Sequence, residues 1–165
     1  MRFKQLTAAL LITAFTFSAC EKRNEVEGTE SLNVTMSGAQ EVPAVTTTAT
    51  GTIAGTYDKE TRVFSYSVQW SGLSGPVAGM HVHGPADPGF NAGILQNIIA
   101  SGSVSGGVTI ANPGAAYGTS GSISGRLNVD NVKIKEAELL AGKYYINIHT
   151  AANPGGEIRG NLVFP

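Results

Sequence analysis

Three histidines, His81, His83 and His149, are the only imidazoles in this 165-residue chain. A neutral imidazole nitrogen is a common transition-metal ligand. His81 and His83 are one residue apart, so on a β-strand both point to one face. Met80 and Val82 then take the other, apolar face. His149 closes the run Tyr144-Tyr145-Ile146-Asn147-Ile148-His149-Thr150. There Tyr144, Ile146 and Ile148 form one face, and Tyr145, Asn147 and His149 the other. All three histidines are thus predicted on strand faces turned away from the core. If the two strands are neighbours, the imidazoles converge. Such a set suits copper or zinc and leaves an open position for water or a small ligand. The same spacing also fits a plain polar strand face, with His149 donating a hydrogen bond to a loop.

Each histidine strand runs into a Pro-Gly turn five residues after its last histidine, at Pro88-Gly89 and at Pro154-Gly155. Such turns are stiff and polar. Asp87 and Glu157 are the nearest carboxylates and are candidates for a fourth ligand or for an acceptor behind a ligand. Glu157 and Arg159 lie two apart on one strand face, so pairing with each other is the more ordinary alternative.

The elements that must position these residues read as strands. Twenty-one glycines, with many Thr, Ser and Val residues, favour short strands and turns over helices. Thr52–Tyr57 and Arg62–Trp70 alternate and flank the polar turn Asp58-Lys59-Glu60-Thr61, which predicts a hairpin. Further strands are expected over Ala78–His83, Gly142–Thr150 and Gly156–Phe164. The pattern G-x-[IV]-x-G recurs at Gly51–Gly55, Gly102–Gly106, Gly121–Gly125 and Gly156–Gly160. In a strand its glycines share a face with the aliphatic residue, so a backbone or a large side chain can approach beside it. Asn91–Ala100 fits either a helix or a buried strand. Lys135–Ala141 has good helix formers and a glycine stop at Gly142. Many strands with short helices only in the crossovers predict an all-β sandwich or barrel.

The first 20 residues do not belong to that domain. Arg2 and Lys4 precede the uncharged apolar stretch Leu6–Phe17, and small residues follow at Ser18 and Ala19. This is the make-up of a secretory signal. The stretch of 12 residues is short for a hydrocarbon core of roughly 30 Å. Cys20 is the only cysteine, so no intramolecular disulfide can form. Phe17-Ser18-Ala19-Cys20 resembles the bacterial lipobox, with Phe17 where that motif usually has leucine. The resemblance implies diacylglycerol on the Cys20 thiol and cleavage before it, giving a membrane anchor. Residues 1–19 are then a signal peptide and 20–31 a polar tether. Residues 32–165 form the domain, held in the bacterial cell envelope at the outer membrane or cell surface.

Cleavage removes Arg2 and Lys4, leaving 9 basic against 12 acidic residues and a charge of −3. No basic cluster follows beyond Lys22-Arg23 and the spaced Lys133 and Lys135, which argues against nucleic acid as a partner. A protein or a small ligand is the partner class that remains. There is no G-x-S-x-G elbow and no phosphate-binding loop. No catalytic residues are assigned, and the chain reads as a binding module ahead of an enzyme.

Three segments carry a family resemblance. Ser37-Gly38-Ala39-Gln40-Glu41-Val42-Pro43, Ala78-Gly79-Met80-His81-Val82-His83-Gly84-Pro85-Ala86, and Tyr144–Thr150 followed by Asn153–Gly160 resemble, in order, the opening, central and closing motifs of the chordin-type (CHRD) domain. The likeness spans about residues 32 to 163. It implies an extracytoplasmic Greek-key or immunoglobulin-like β-fold and no particular activity. The histidine placement is also similar to the copper ligands of copper–zinc superoxide dismutase. That likeness implies a dismutase-like metalloenzyme or a copper-handling protein as the alternative function. The chain departs from that pattern: it lacks a histidine-rich zinc loop, an intramolecular disulfide and a histidine for a bridging ligand.

Overall fold

The structure is a computed structural model that describes residues 28–99 and 117–165. The signal segment, Cys20, most of the tether and the Gly102–Gly106 repeat lie outside the described residues. Eight strands are described: β1 (Thr29–Ser37), β2 (Thr50–Asp58), β3 (Val63–Ser71), β4 (Val77–His83), β5 (Ile94–Ile99), β6 (Gly121–Asn128), β7 (Tyr145–Thr150) and β8 (Ile158–Asn161). They form one antiparallel sheet in the order β5-β4-β7-β8-β1-β2-β3-β6. The sheet curls into a nearly closed barrel. Across the seam Gln96 Nε2 on β5 donates to the Arg126 carbonyl on β6 at 3.1 Å, so a side chain bridges where no ladder forms. The all-β expectation holds, in its barrel form. Strand β1 opens at Thr29, because Thr29–Ser31 pair with Thr56–Asp58, three residues ahead of the boundary read from periodicity.

The predicted hairpin is β2–β3. Asp58 Oδ1 accepts from the Glu60 and Thr61 amides, both at 2.9 Å, which fixes the turn locally. Asn91–Ala100, ambiguous in sequence, contains strand β5, whose Ile98 and Ile99 are buried. Pairing with β4 decides it: a short apolar run takes its conformation from the edge it docks on. The helix expected over Lys135–Ala141 is α1 (Glu136–Leu140), carried in the crossover from β6 to β7. Leu139 anchors it in the core, and Gly142 at φ 71° stops it. One 3-10 turn (Gly38–Gln40) follows β1.

The repeated glycines have a packing role. Strand β3 sends Phe64, Tyr66, Val68 and Trp70 into the barrel. Gly55 on β2 and Gly125 on β6 flank Tyr66, while Gly51 and Gly121 flank Trp70. A Cβ on Gly55 would stand 2.4 Å from the Phe64 ring, and one on Gly121 would stand 2.7 Å from the Trp70 ring. The empty positions let the rings lie across neighbouring strands, where each buried large side chain contributes about 1.5–3 kcal/mol.

Candidate metal centre

Strands β4 and β7 are neighbours. Gly79 pairs with His149, His81 with Asn147 and His83 with Tyr145, while Met80–Ile148 and Val82–Ile146 alternate with them. The alternate pairs point into the core, where all four side chains are fully buried. The histidine-bearing pairs therefore share the outer face, as the sequence predicts. Strand β8 adds Arg159 beside Asn147 and Asn161 beside Tyr145. The β4 register shifts between Met80 and His81 and between Val82 and His83 against β5. Such irregularities re-aim side chains. Gly79 leaves room for the His81 ring, whose Cε1 and Nε2 would be 3.3 Å from a Cβ there.

Much of this outer face is covered, with His81 and His149 left half-buried. His83, Asn147, Tyr145 and Arg159 are all buried. Two loops cover them. The Ala92 amide donates to the Tyr145 hydroxyl at 3.1 Å, and Arg159 Nη1 donates to the Phe90 carbonyl at 3.1 Å. Asn91 Nδ2 donates to the Val42 carbonyl at 2.7 Å, tying the loop after His83 to the loop after β1. The three family-like segments thus meet at one place.

The rings are close and fixed. Ring centroids lie 4.6 Å apart for His81–His149, 5.6 Å for His81–His83 and 6.3 Å for His83–His149. His83 Nδ1 donates to the Ala92 carbonyl and His149 Nδ1 to the Pro154 carbonyl, each at 2.9 Å. A carbonyl can only accept, so both Nδ1 atoms carry the hydrogen and both neutral rings present a bare Nε2. His149 Nε2 lies 2.9 Å from His81 Nδ1. His83 Nε2 is buried with no hydrogen-bond partner. Tyr145 stacks on His83, with centroids 4.8 Å apart and planes 2° from parallel. The Arg159 guanidinium lies 3.4 Å from the Tyr145 ring centroid, so the aromatic ring spans the two strands that flank β7.

One candidate nitrogen from each histidine lies within 4.8 Å of the others. A metal about 2.0–2.1 Å from each nitrogen would hold them about 3.3 Å apart in a tetrahedron, so loading would draw the rings together by up to about 1.5 Å. Burial depresses the basicity of all three, with the neighbouring imidazoles adding to the effect at His81, which falls to about 4. Neutral rings at neutral pH are the form that ligates.

Neither accessory carboxylate joins this group. Asp87 is largely exposed and lies 3.9 Å from Lys143 Nζ. Glu157 is fully buried and already engaged. Its Oε1 accepts from the Thr47 hydroxyl and the Ser74 amide, and its Oε2 from the Ser74 and Thr150 hydroxyls, at 2.5–2.9 Å. Burial alone would raise its pKa, but these bonds prevail and bring it down to about 2. It also does not pair with Arg159, whose hydrogen-bond acceptors are Asn161, Phe90 and Asn91. The carboxylate that does border the centre is Glu41, 6% exposed. Its Oε1 has no partner. Burial raises its pKa to about 7, against the opposing pull of Arg159 and Asn147. Sequence reasoning did not single it out, because Glu41 lies 40 residues before His81 and reaches the site only through tertiary packing.

A family profile described as the CHRD domain matches residues 32–162. No curated protein and no solved structure matches the chain.

Proposed function

Because the chain belongs to the CHRD domain family, we propose that it is an extracytoplasmic binding module that holds one transition-metal ion, copper ahead of zinc, through His81, His83 and His149. A diacylglycerol-modified Cys20 would tether it to the bacterial envelope. The observation that carries the metal reading is the direction of the donors. Two rings spend Nδ1 on backbone carbonyls and turn a bare Nε2 inward, one of them buried without a partner. That pattern orients ligating histidines, with the carbonyl fixing tautomer and ring angle. Copper stands first because imidazole nitrogens favour it over the other divalent first-row metals. The lone cysteine behind an apolar leader supports the anchor.

Metal analysis of untagged protein after incubation and desalting tests the centre. One equivalent of copper is expected, and less than about 0.1 equivalent would refute it, since three converging imidazoles bind firmly. For the anchor, Cys20→Ser is expected to release the protein from membranes. Unchanged detergent partitioning of that variant would contradict lipidation.

A further inference from the structure

The centre contains one more donor that is turned the same way. Asn147 lies on β7 two residues before His149, opposite His81 on β4, and is 3% exposed. Its Oδ1 lies 2.9 Å from His149 Nε2. His149 Nδ1 carries its ring hydrogen to the Pro154 carbonyl, so in the neutral ring Nε2 is an acceptor. An amide oxygen is also an acceptor. Two acceptors thus face each other at hydrogen-bonding distance. The His81 Nδ1 hydrogen can serve His149 Nε2, but it leaves the amide oxygen and His83 Nε2 without a donor. Several lone pairs converging with too few protons is what a bound cation resolves.

Asn147 is held in this orientation from behind. Its amide nitrogen and the Glu41 carboxyl lie side by side against Gly156. Gly156, at φ 125°, makes the approach possible: a Cβ there would stand 2.3 Å from Glu41 Oε1 and 2.7 Å from Asn147 Nδ2. With the amide in this orientation Nδ2 faces the Glu41 carboxyl and Oδ1 faces the imidazoles.

We propose that Asn147 Oδ1 is the fourth protein donor to the metal, giving a set of three imidazole nitrogens and one amide oxygen, with Glu41 as the residue that positions the amide. The inference rests on the three-histidine reading. It also bears on the open position: with Asn147 bound, a four-coordinate ion has no vacancy, and an external ligand enters only by raising the coordination number or displacing the amide. A mixed nitrogen and oxygen set suits tetragonal Cu(II).

The test is Cu(II) titration of the detergent-purified chain, read by affinity and by the Cu(II) electron paramagnetic resonance spectrum. In Asn147→Leu the affinity is expected to fall about 10- to 100-fold, with changed parallel g and hyperfine values and imidazole nitrogen couplings retained. Asn147→Asp keeps the size and supplies an anionic oxygen, so it is expected to bind at least as tightly as the parent with a distinct spectrum. Glu41→Gln is expected to weaken binding less than Asn147→Leu does. Parent affinity and an unchanged spectrum in the Asp variant would overturn the fourth donor, whether or not the Leu variant folds. A parent chain that binds no copper would overturn the three-histidine reading itself, and the two failures are thereby distinguished.

Discussion

The two halves of the barrel follow the same alternation and treat their outer faces in opposite ways. On β1, β2, β3 and β6 the outward positions carry small polar side chains in registered rows, such as Thr35, Thr52, Gln69 and Ser122, and these are exposed. On β4, β7 and β8 the outward positions carry His81, His83, Tyr145, Asn147, His149 and Arg159, and most of these are buried. The inward faces of both halves are ordinary apolar core. The difference lies in the connections. A tight turn joins β2 to β3, whereas the loops after β1 and β4 fold back over the second half and fasten to each other at Asn91 and Val42. Burying polar groups is unfavourable unless each finds a partner. Among the described residues the buried side-chain atoms without a partner are the Tyr57 and Tyr66 hydroxyls and Gln96 Oε1 elsewhere in the barrel, and His83 Nε2 and Glu41 Oε1 at the candidate centre, the two that lie under the loops. A strand face becomes a site here by being roofed, and the sign of it is the donor count left incomplete under the roof.

Substitutions can break this contrast, beginning where the effect is largest. His149→Ala is expected to lower copper affinity more than 100-fold; parent-like binding by calorimetry would show that the covered half holds no centre. Arg159→Leu leaves the Phe90 carbonyl and Asn161 without their donor and strips the cation from Tyr145. A loss of about 3 kcal/mol or more is expected in denaturant unfolding, since breaking a buried charged network is among the costliest single changes. Glu157→Gln is expected to cost about 2 kcal/mol at pH 7, because a buried carboxylate with four donors is replaced by an amide that cannot accept from all of them. The pH dependence has a definite sign. The Glu157 pKa lies at about 2 in the folded chain against an ordinary 4.5. Its contribution is complete above about pH 4.5 and is lost as pH falls toward 2, so the gap between parent and Gln variant should narrow over that window. In the uncovered half, Gly55→Val forces a side chain into the Phe64 ring and is expected to cost about 1–3 kcal/mol without touching copper affinity. Thr52→Ala, on the exposed outer face, is expected to stay within about 0.5 kcal/mol; a large loss there would mean that this face too is covered by something.

Much of this was legible in the sequence, and the limits have physical causes. Alternation at Met80-His81-Val82-His83 and at Tyr144–His149 assigns the faces correctly, because a strand offers only two. The glycine spacing foretells the close approach of large residues, and the hairpin follows from its turn chemistry. What alternation cannot supply is who lies beside whom. Strands β4 and β7 pair across more than 60 residues, and Glu41 reaches the centre only because the loop after β1 crosses the sheet. Proximity to His149 makes Glu157 a candidate accessory residue, yet its side chain is claimed by Thr47, Ser74 and Thr150, which sequence distance does not reveal. Alternation places Asn147 on the histidine face, but its neighbours, and so the direction of its amide, depend on the fold. Asn91–Ala100 is ambiguous in sequence because its apolar residues Ile94, Leu95, Ile98 and Ile99 satisfy either period until an edge strand receives them.

Anomalous diffraction from copper-loaded crystals tests the central claim most directly. One copper peak is expected about 2.0–2.2 Å from His83 Nε2, His149 Nε2 and a nitrogen of His81, beneath the loop that carries Phe90 and Ala92. Copper located elsewhere, or no peak at the three rings in crystals grown from stoichiometrically loaded protein, would contradict it.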